Sequence, residues 1–180
     1  MAGIRIAADP KLRGHDRVQA EQTTRLAERV AELAGEGVRI GVAESLTSGA
    51  LASALGAAPD ASTWFTGAVV AYSKQVKFEV LGVTPGPVIT ERCAREMAAG
   101  AARLLGAHLV AAVTGAGGPE PEEGEPPGTV FLAHGPADAI VVERLSLGGE
   151  PAEIVEQTVT AALTALIRDL SRPEQPRTDS

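Results

Sequence analysis

Short apolar runs that alternate with helically spaced apolar stripes set the narrowest limit on what this chain can become. "VRIGVA", "TGAVVAY" and "AHLVAAV" each end in small polar residues or glycines, as buried strands do. Between them lie amphipathic segments. Leu26, Val30 and Leu33 share one face of a helix expected over 18–35, which Gly35 and Gly37 end. An alanine-rich stretch over 47–56 reads as a short helix, and Ser73 as the cap of a helical turn in "SKQVKFEVLG". Thr90 opens a longer helix with Cys93, Met97, Ala101 and Leu104 on its inner stripe, closed by Gly106. "GTVFLAH" and "AIVVERLSL" form a hairpin-like pair, and Val155, Val159, Ala162 and Leu166 mark a final helix. This pattern predicts an α/β fold: one domain with a mixed, largely parallel sheet and helices packed on both faces. The domain is expected over 18–170, with a flexible arm over 1–17 and a disordered tail over 171–180.

Bulk properties exclude several function classes. A formal net charge of -7 argues against a nucleic-acid or acidic-membrane binder, since both need clustered cations. No apolar run reaches the length of a membrane span, and "MAGIRIAADPKLRGHDR" lacks the apolar centre of a secretory signal, so the cytoplasm is the expected location. The single cysteine, Cys93, lies on a core face and reads as a structural thiol. Three scattered histidines and one cysteine lack ligand spacing, so no metal site is expected.

Three strand ends are unusually polar, and in a parallel sheet they would share one edge, where ligands gather. The first supplies Glu44, Ser45, Thr47, Ser48 and Gly49. The second supplies Tyr72, Ser73, Lys74 and Lys77. The third supplies Thr114, Gly115, Ala116, Gly117 and Gly118. Ser45 needs a base to act as a nucleophile. His15 lies in the arm, His108 starts a strand and His134 ends another, so a Ser-His-Asp triad fits badly. Ala43 also stands where a nucleophile elbow needs glycine. A desolvated Lys77 is the alternative base, with Tyr72 relaying or holding the proton, although a solvated Lys77 and a merely structural Tyr72 satisfy the same spacing. Glu44 reads as orienting the turn, and Thr47 or Ser48 as capping the helix after it. The glycine-rich "TGAGGP" offers stacked amides to a phosphate or an oxyanion. The acidic "PEPEEGEPP" behind it should repel an anion, and so either swings away or acts as a lid.

Five ordered blocks carry a resemblance: "AESLTSG" at 43–49, "YSKQVK" at 72–77, "ITERCAREMAAG" at 89–100, "TGAGGP" at 114–119 and "PPGTV" at 126–130. Together they resemble the nicotinamide-nucleotide amidase family, also known as the CinA C-terminal domain, over roughly residues 20 to 170. That resemblance implies hydrolysis of the carboxamide of nicotinamide mononucleotide to nicotinate mononucleotide and ammonia, a step of pyridine-nucleotide salvage. It implies Ser45 as nucleophile with Tyr72 and Lys77 assisting, no metal or other cofactor, and a homodimer or larger homo-oligomer. The larger N-terminal module of fused members has no room in 180 residues, so a stand-alone form is expected. Substrate binding would fall to Glu44, Thr47, Ser48, Gly49, Lys74, Thr114, Gly115, Ala116, Gly117 and Gly118. Leu46, Ser48, Lys74 and Gly117 depart from the family's usual Cys, Gly, Asn and Ala. A non-catalytic nucleotide-binding member and a purely structural oligomer are the rival readings.

Overall fold

A sheet buried on both faces needs apolar residues on alternate sides of each strand, and the computed structural model shows that alternation directly. The structure describes residues 13–35 and 37–172; for 13–17 it describes the backbone alone. The expected arm over 1–12 and the tail from 173 lie outside it. Along the chain run α1 (Arg13–Leu33), β1 (Ile40–Glu44), α2 (Ala50–Gly56), α3 (Ala61–Trp64), β2 (Phe65–Val70) and α4 (Lys74–Glu79). They are followed by α5 (Glu91–Leu105), β3 (Leu109–Gly115), β4 (Thr129–Pro136), β5 (Val141–Ser146) and α6 (Pro151–Leu170).

Ile40, Val42, Leu109, Ala111 and Val113 face α1, α2 and α6, packing on Val30, Leu51, Leu55, Leu163 and Leu166. Ala43, Val110 and Ala112 face the other way, onto Cys93, Met97 and Ala101 of α5. Helices therefore cover both faces, as the alternation predicts. Helix α1 starts at Arg13, five residues before the expected start, so part of the expected arm is helical. The four-residue α3 was not legible in the sequence.

The strand order is β2-β1-β3-β4-β5. Strand β1 lies parallel to both β2 and β3. Strand β4 runs antiparallel to β3 and to β5. Four strands thus share one direction and only β4 opposes them. The expected hairpin joins β4 to β5, and the β3–β4 pairing is antiparallel as well. The carboxyl ends of β1, β2 and β3 consequently lie on one edge.

Helix α5 sets the position of α4 beneath that edge. Thr90 Oγ1 accepts from Cys93 N at 3.1 Å to start α5, and Gly106, at φ 60°, ends it. A Cβ on Gly100 would stand 2.1 Å from the main-chain oxygen of Leu81, so only glycine lets α5 approach the segment leaving α4 so closely. Val83 N then donates to Lys77 O at 3.0 Å, tying that segment back onto α4. Leu104, expected on the inner stripe of α5, is exposed. The true inner face contains Ala94, Ala98 and Ala101 beside Cys93 and Met97, because the stripe drifts with the 3.6-residue period.

At the opposite end of β4, His134 is buried on the α6 side. Its Nδ1 lies 2.6 Å from Asp169 Oδ2, and Nε2 lies 3.2 Å from Glu143 Oε1, which also accepts from Arg168 at 2.6 Å. Burial by itself pushes the imidazolium down, but the hydrogen bond and charge of Asp169, with those of Glu143, outweigh it and raise the net pKa. A raised folded pKa means a stabilisation fully present below the unfolded value and lost as pH climbs through the folded one. Urea melts should therefore show His134→Gln costing most near pH 6 and progressively less as pH rises above the ordinary 6.5. An equal cost at every pH would contradict the charged arrangement.

Candidate active site

Why β1 stops on a charged residue is answered by what Glu44 does. Its carboxylate is fully buried. Oε2 accepts from the amides of Gly49 and Leu51, both at 3.1 Å, and Oε1 accepts from Ala52 N at 2.8 Å. These are the unpaired donors at the start of α2, so Glu44 caps that helix from the strand before it. The sequence reading had Glu44 orient the turn, as it does, but assigned the cap to Thr47 or Ser48 and also placed Glu44 among substrate-binding residues. Its carboxylate oxygens are taken up by the three amides of the turn. Thr47 Oγ1 is buried without a hydrogen-bond partner among the described residues, and Ser48 is exposed at φ 49°. Gly49, at φ 99°, is the residue at the helix boundary.

That turn holds Ser45 at the mouth of the strand edge. Ser45 is 9% exposed, and its amide donates to Val113 O at 3.1 Å, extending the β1–β3 ladder by one residue. Lys77 reaches it from α4. The Lys77 side chain is only 1% exposed, with Nζ 3.0 Å from Ser45 Oγ. Nζ also donates to the main-chain oxygens of Ala71 at 2.6 Å and Tyr72 at 3.1 Å. All three partners are uncharged. Burial pushes the Lys77 pKa below its ordinary 10.5. A neutral amine has two N–H groups and one lone pair, which matches two carbonyls and one hydroxyl.

Tyr72 therefore meets the amine through its carbonyl. Its ring is 71% exposed along the pocket wall, so the expected relay through the phenol has no counterpart in these contacts. Cys93, near Lys77, is buried, and its pKa is pushed up to about 11, chiefly by burial. It stays a thiol near neutrality.

A pocket of about 220 Å³ opens over Ser45 and Lys77. Lys74, Thr114, Gly115, Gly117 and Gly118, named from the sequence as substrate-binding candidates, line it. Glu44, Thr47, Ser48, Gly49 and Ala116 do not. Ala116 is buried, with its amide donating to Thr129 O at 2.9 Å, so β3 continues into β4 there instead of opening to the pocket. Thr114 Oγ1 donates to Val88 O at 2.8 Å and so holds the wall together. With the amides of Ser45 and Ala116 already engaged, those of Leu46 and Gly117 are the candidates for an oxyanion. The two residues are neighbours, since a Cβ on Gly117 would lie 3.7 Å from Leu46 Cβ.

The acidic loop folds back over this pocket. Glu123 pairs with Lys74, and its Oε2 accepts from Val88 N at 2.6 Å and Ile89 N at 2.9 Å. Sequence reasoning missed Glu122, Val88, Ile89, Pro151 and Val155 as pocket residues. No local signal marks them, because they arrive from a loop and from the start of α6. Among the described residues no group of three or more His, Cys, Asp or Glu side chains could hold a metal ion. No described helix is long and apolar enough to cross a membrane.

A sequence profile described as the CinA C-terminal domain matches residues 23–170. The chain belongs to the CinA C-terminal domain family. Among relatives in this family, a "CinA-like protein" of Mycobacterium tuberculosis is 39% identical over 165 residues, covering 88% of this chain and 38% of that protein. A "putative competence-damage inducible protein" of Desulforamulus reducens is 36% identical over 146 residues, covering 76% and 36%. The chain thus spans little more than a third of the length of these relatives. A CinA superfamily protein of Klebsiella pneumoniae, solved by crystallography, aligns with a TM-score of 0.80 at 35% identity, covering 83% of this chain and 98% of that one. An Escherichia coli member aligns at 0.74 and 30%, covering 92% and 94%. The mixed five-stranded sheet is therefore the family's fold.

One departure from the family pattern carries a cost that can be measured. Ser48 occupies the left-handed region, where a Cβ is disfavoured by about 1 kcal/mol or more. Ser48→Gly should stabilise the protein by about 0.5–1 kcal/mol after the extra unfolded-state entropy of glycine is offset. By thermal melting that is a rise of about 1–4 °C. A fall in Tm would show that the Ser48 side chain stabilises the turn.

Proposed function

We propose that this protein hydrolyses the carboxamide of nicotinamide mononucleotide, releasing ammonia and nicotinate mononucleotide. Family membership makes such an amidase activity the leading candidate. The observation that carries it is the 3.0 Å approach of a buried lysine nitrogen, without a carboxylate partner among the described residues, to Ser45 Oγ. In this reading Lys77 is neutral before reaction. Its two N–H groups stay on Ala71 O and Tyr72 O, and its lone pair takes the Ser45 proton as Oγ attacks the carboxamide carbon. The amides of Leu46 and Gly117 receive the developing oxyanion. The ammonium of Lys77 then protonates the leaving nitrogen, the C–N bond breaks and ammonia departs. Water attacks the resulting ester, giving its proton to Lys77, and Ser45 regains a proton as the acid leaves. Serine and lysine complete this cycle, so no step is assigned to a metal or cofactor.

Gly117 is proposed to serve the carboxamide end through its amide, and the phosphate to lie away from Lys74, which Glu123 holds on the acidic turn. We further propose a cytoplasmic homodimer or larger homo-oligomer that binds neither nucleic acid nor membrane. The pairing of Lys74 with Glu123 favours one rival, a nucleotide-binding member without turnover, since it withdraws a cation from the pocket.

Ammonia release from nicotinamide mononucleotide separates these readings. Ser45→Ala and Lys77→Ala should each lower kcat/KM by about 10³-fold or more while the protein stays folded. The wild-type rate should rise with pH through the lowered pKa of Lys77, levelling off below its ordinary 10.5. A folded Ser45→Ala with full activity ends the nucleophile assignment. Calorimetric binding without turnover in the wild type would favour the rival.

A further inference from the structure

Glu122 is a carboxylate on the wall of a pocket expected to receive a phosphate ester, and this contradiction needs a physical reason. The loop that carries it is not loosely placed. Glu122 and Glu125 exchange main-chain hydrogen bonds at 3.1 and 3.0 Å, closing a tight turn. Glu125 accepts from Arg144 at 2.8 Å, and Glu123 is held by Lys74 and by the amides of Val88 and Ile89. Glu123 and Glu125 are thus tied to the body of the domain. Glu122 is exposed and lines the pocket, and its carboxylate makes no hydrogen bond or ion pair among the described residues.

The pocket also holds a second charge imbalance. Lys74 is neutralised by Glu123, and burial favours the neutral form of Lys77. The negative charge of Glu122 acts on both lysines and partly opposes the effect of burial on Lys77, so the carboxylate lies within electrostatic reach of the proposed base. An unpaired anion there leaves the neighbourhood of Ser45 suited to a substrate whose reacting end is cationic. The proposed substrate has that property: its carboxamide is borne on a positively charged pyridinium ring, while its phosphate lies at the far end of the ribose.

Resting on the amidase reading, we propose that Glu122 is a specificity-determining residue that selects the cationic ring bearing the carboxamide. It attracts the pyridinium and repels the phosphate, so the zwitterionic nucleotide enters with the ring towards Ser45 and the phosphate away from the acidic turn. Uncharged aromatic amides and their nucleotides gain nothing from it. The loop thereby acts as a charge filter on one wall of the site.

The test compares nicotinamide mononucleotide with benzamide ribotide, in which carbon replaces the ring nitrogen and removes the positive charge. Binding to Ser45→Ala protein is measured by calorimetry, so that turnover does not intervene. Glu122 should give a preference for the cationic nucleotide. Adding Glu122→Gln should reduce the ratio of the two Kd values by about two- to fivefold, as expected for one charge contact at an exposed site. Adding Glu122→Asp should retain most of the ratio. A ratio unchanged by Glu122→Gln, or both ligands weakened equally, overturns the assignment even if the wild type releases ammonia normally. A wild-type protein that neither binds nor hydrolyses the mononucleotide overturns the amidase reading, and this inference with it.

Discussion

An amine buried without a carboxylate is the constraint on which the rest of the molecule turns. Removing an ammonium from water costs several kcal/mol unless charge compensates it, and among the described residues Lys77 Nζ finds only two carbonyls and a hydroxyl. The inexpensive state for that nitrogen is neutral, and a neutral amine beside an alcohol is a base beside a nucleophile. In the proposed mechanism, reactivity arises from packing. The apolar cluster that holds Cys93, Met97 and the alanines of α5 also takes in Val76 and Phe78, which flank Lys77 on α4.

Two further devices keep that arrangement from collapsing. Glu44, buried one residue before Ser45, is satisfied by three amides at the start of α2, so its charge neither seeks Lys77 nor competes for the substrate. Two nearby carboxyl groups thus do opposite work: Glu44 is spent on structure, while Glu122 is left unpaired at the pocket. The contact of Gly100 with Leu81 is the mechanical counterpart, since a methyl group there would push α5 away from the chain leaving α4. The chemistry of one buried nitrogen depends on a helix capped from a neighbouring strand and a glycine one layer below.

Much of the scaffold was legible because its signals are local. Thr90 and Ser73 cap their helices through bonds spanning three residues, a distance at which sequence spacing and geometry are nearly the same thing. The alternation of strands with helices gave the mixed sheet covered on both faces. Where the signal was not local, reading failed. Glu44 reaches amides five to eight residues ahead through consecutive left-handed residues at 48 and 49, so the nearer hydroxyls of Thr47 and Ser48 were the natural but mistaken choice. Leu104 was assigned to the core by extending a stripe one turn too far.

The amino-acid order by itself determined which groups were present at three strand ends, and that parallel strands would bring those ends to one edge. Hydrogen-bonded periodicities of two and 3.6 residues are short-range and read directly from spacing. Only the tertiary structure decided that the tyrosine contributes a carbonyl, that the acidic turn folds inward, and that the lysine is stripped of water. Solvent exclusion and charge pairing depend on what neighbours arrive from elsewhere in the chain, and no local pattern records them.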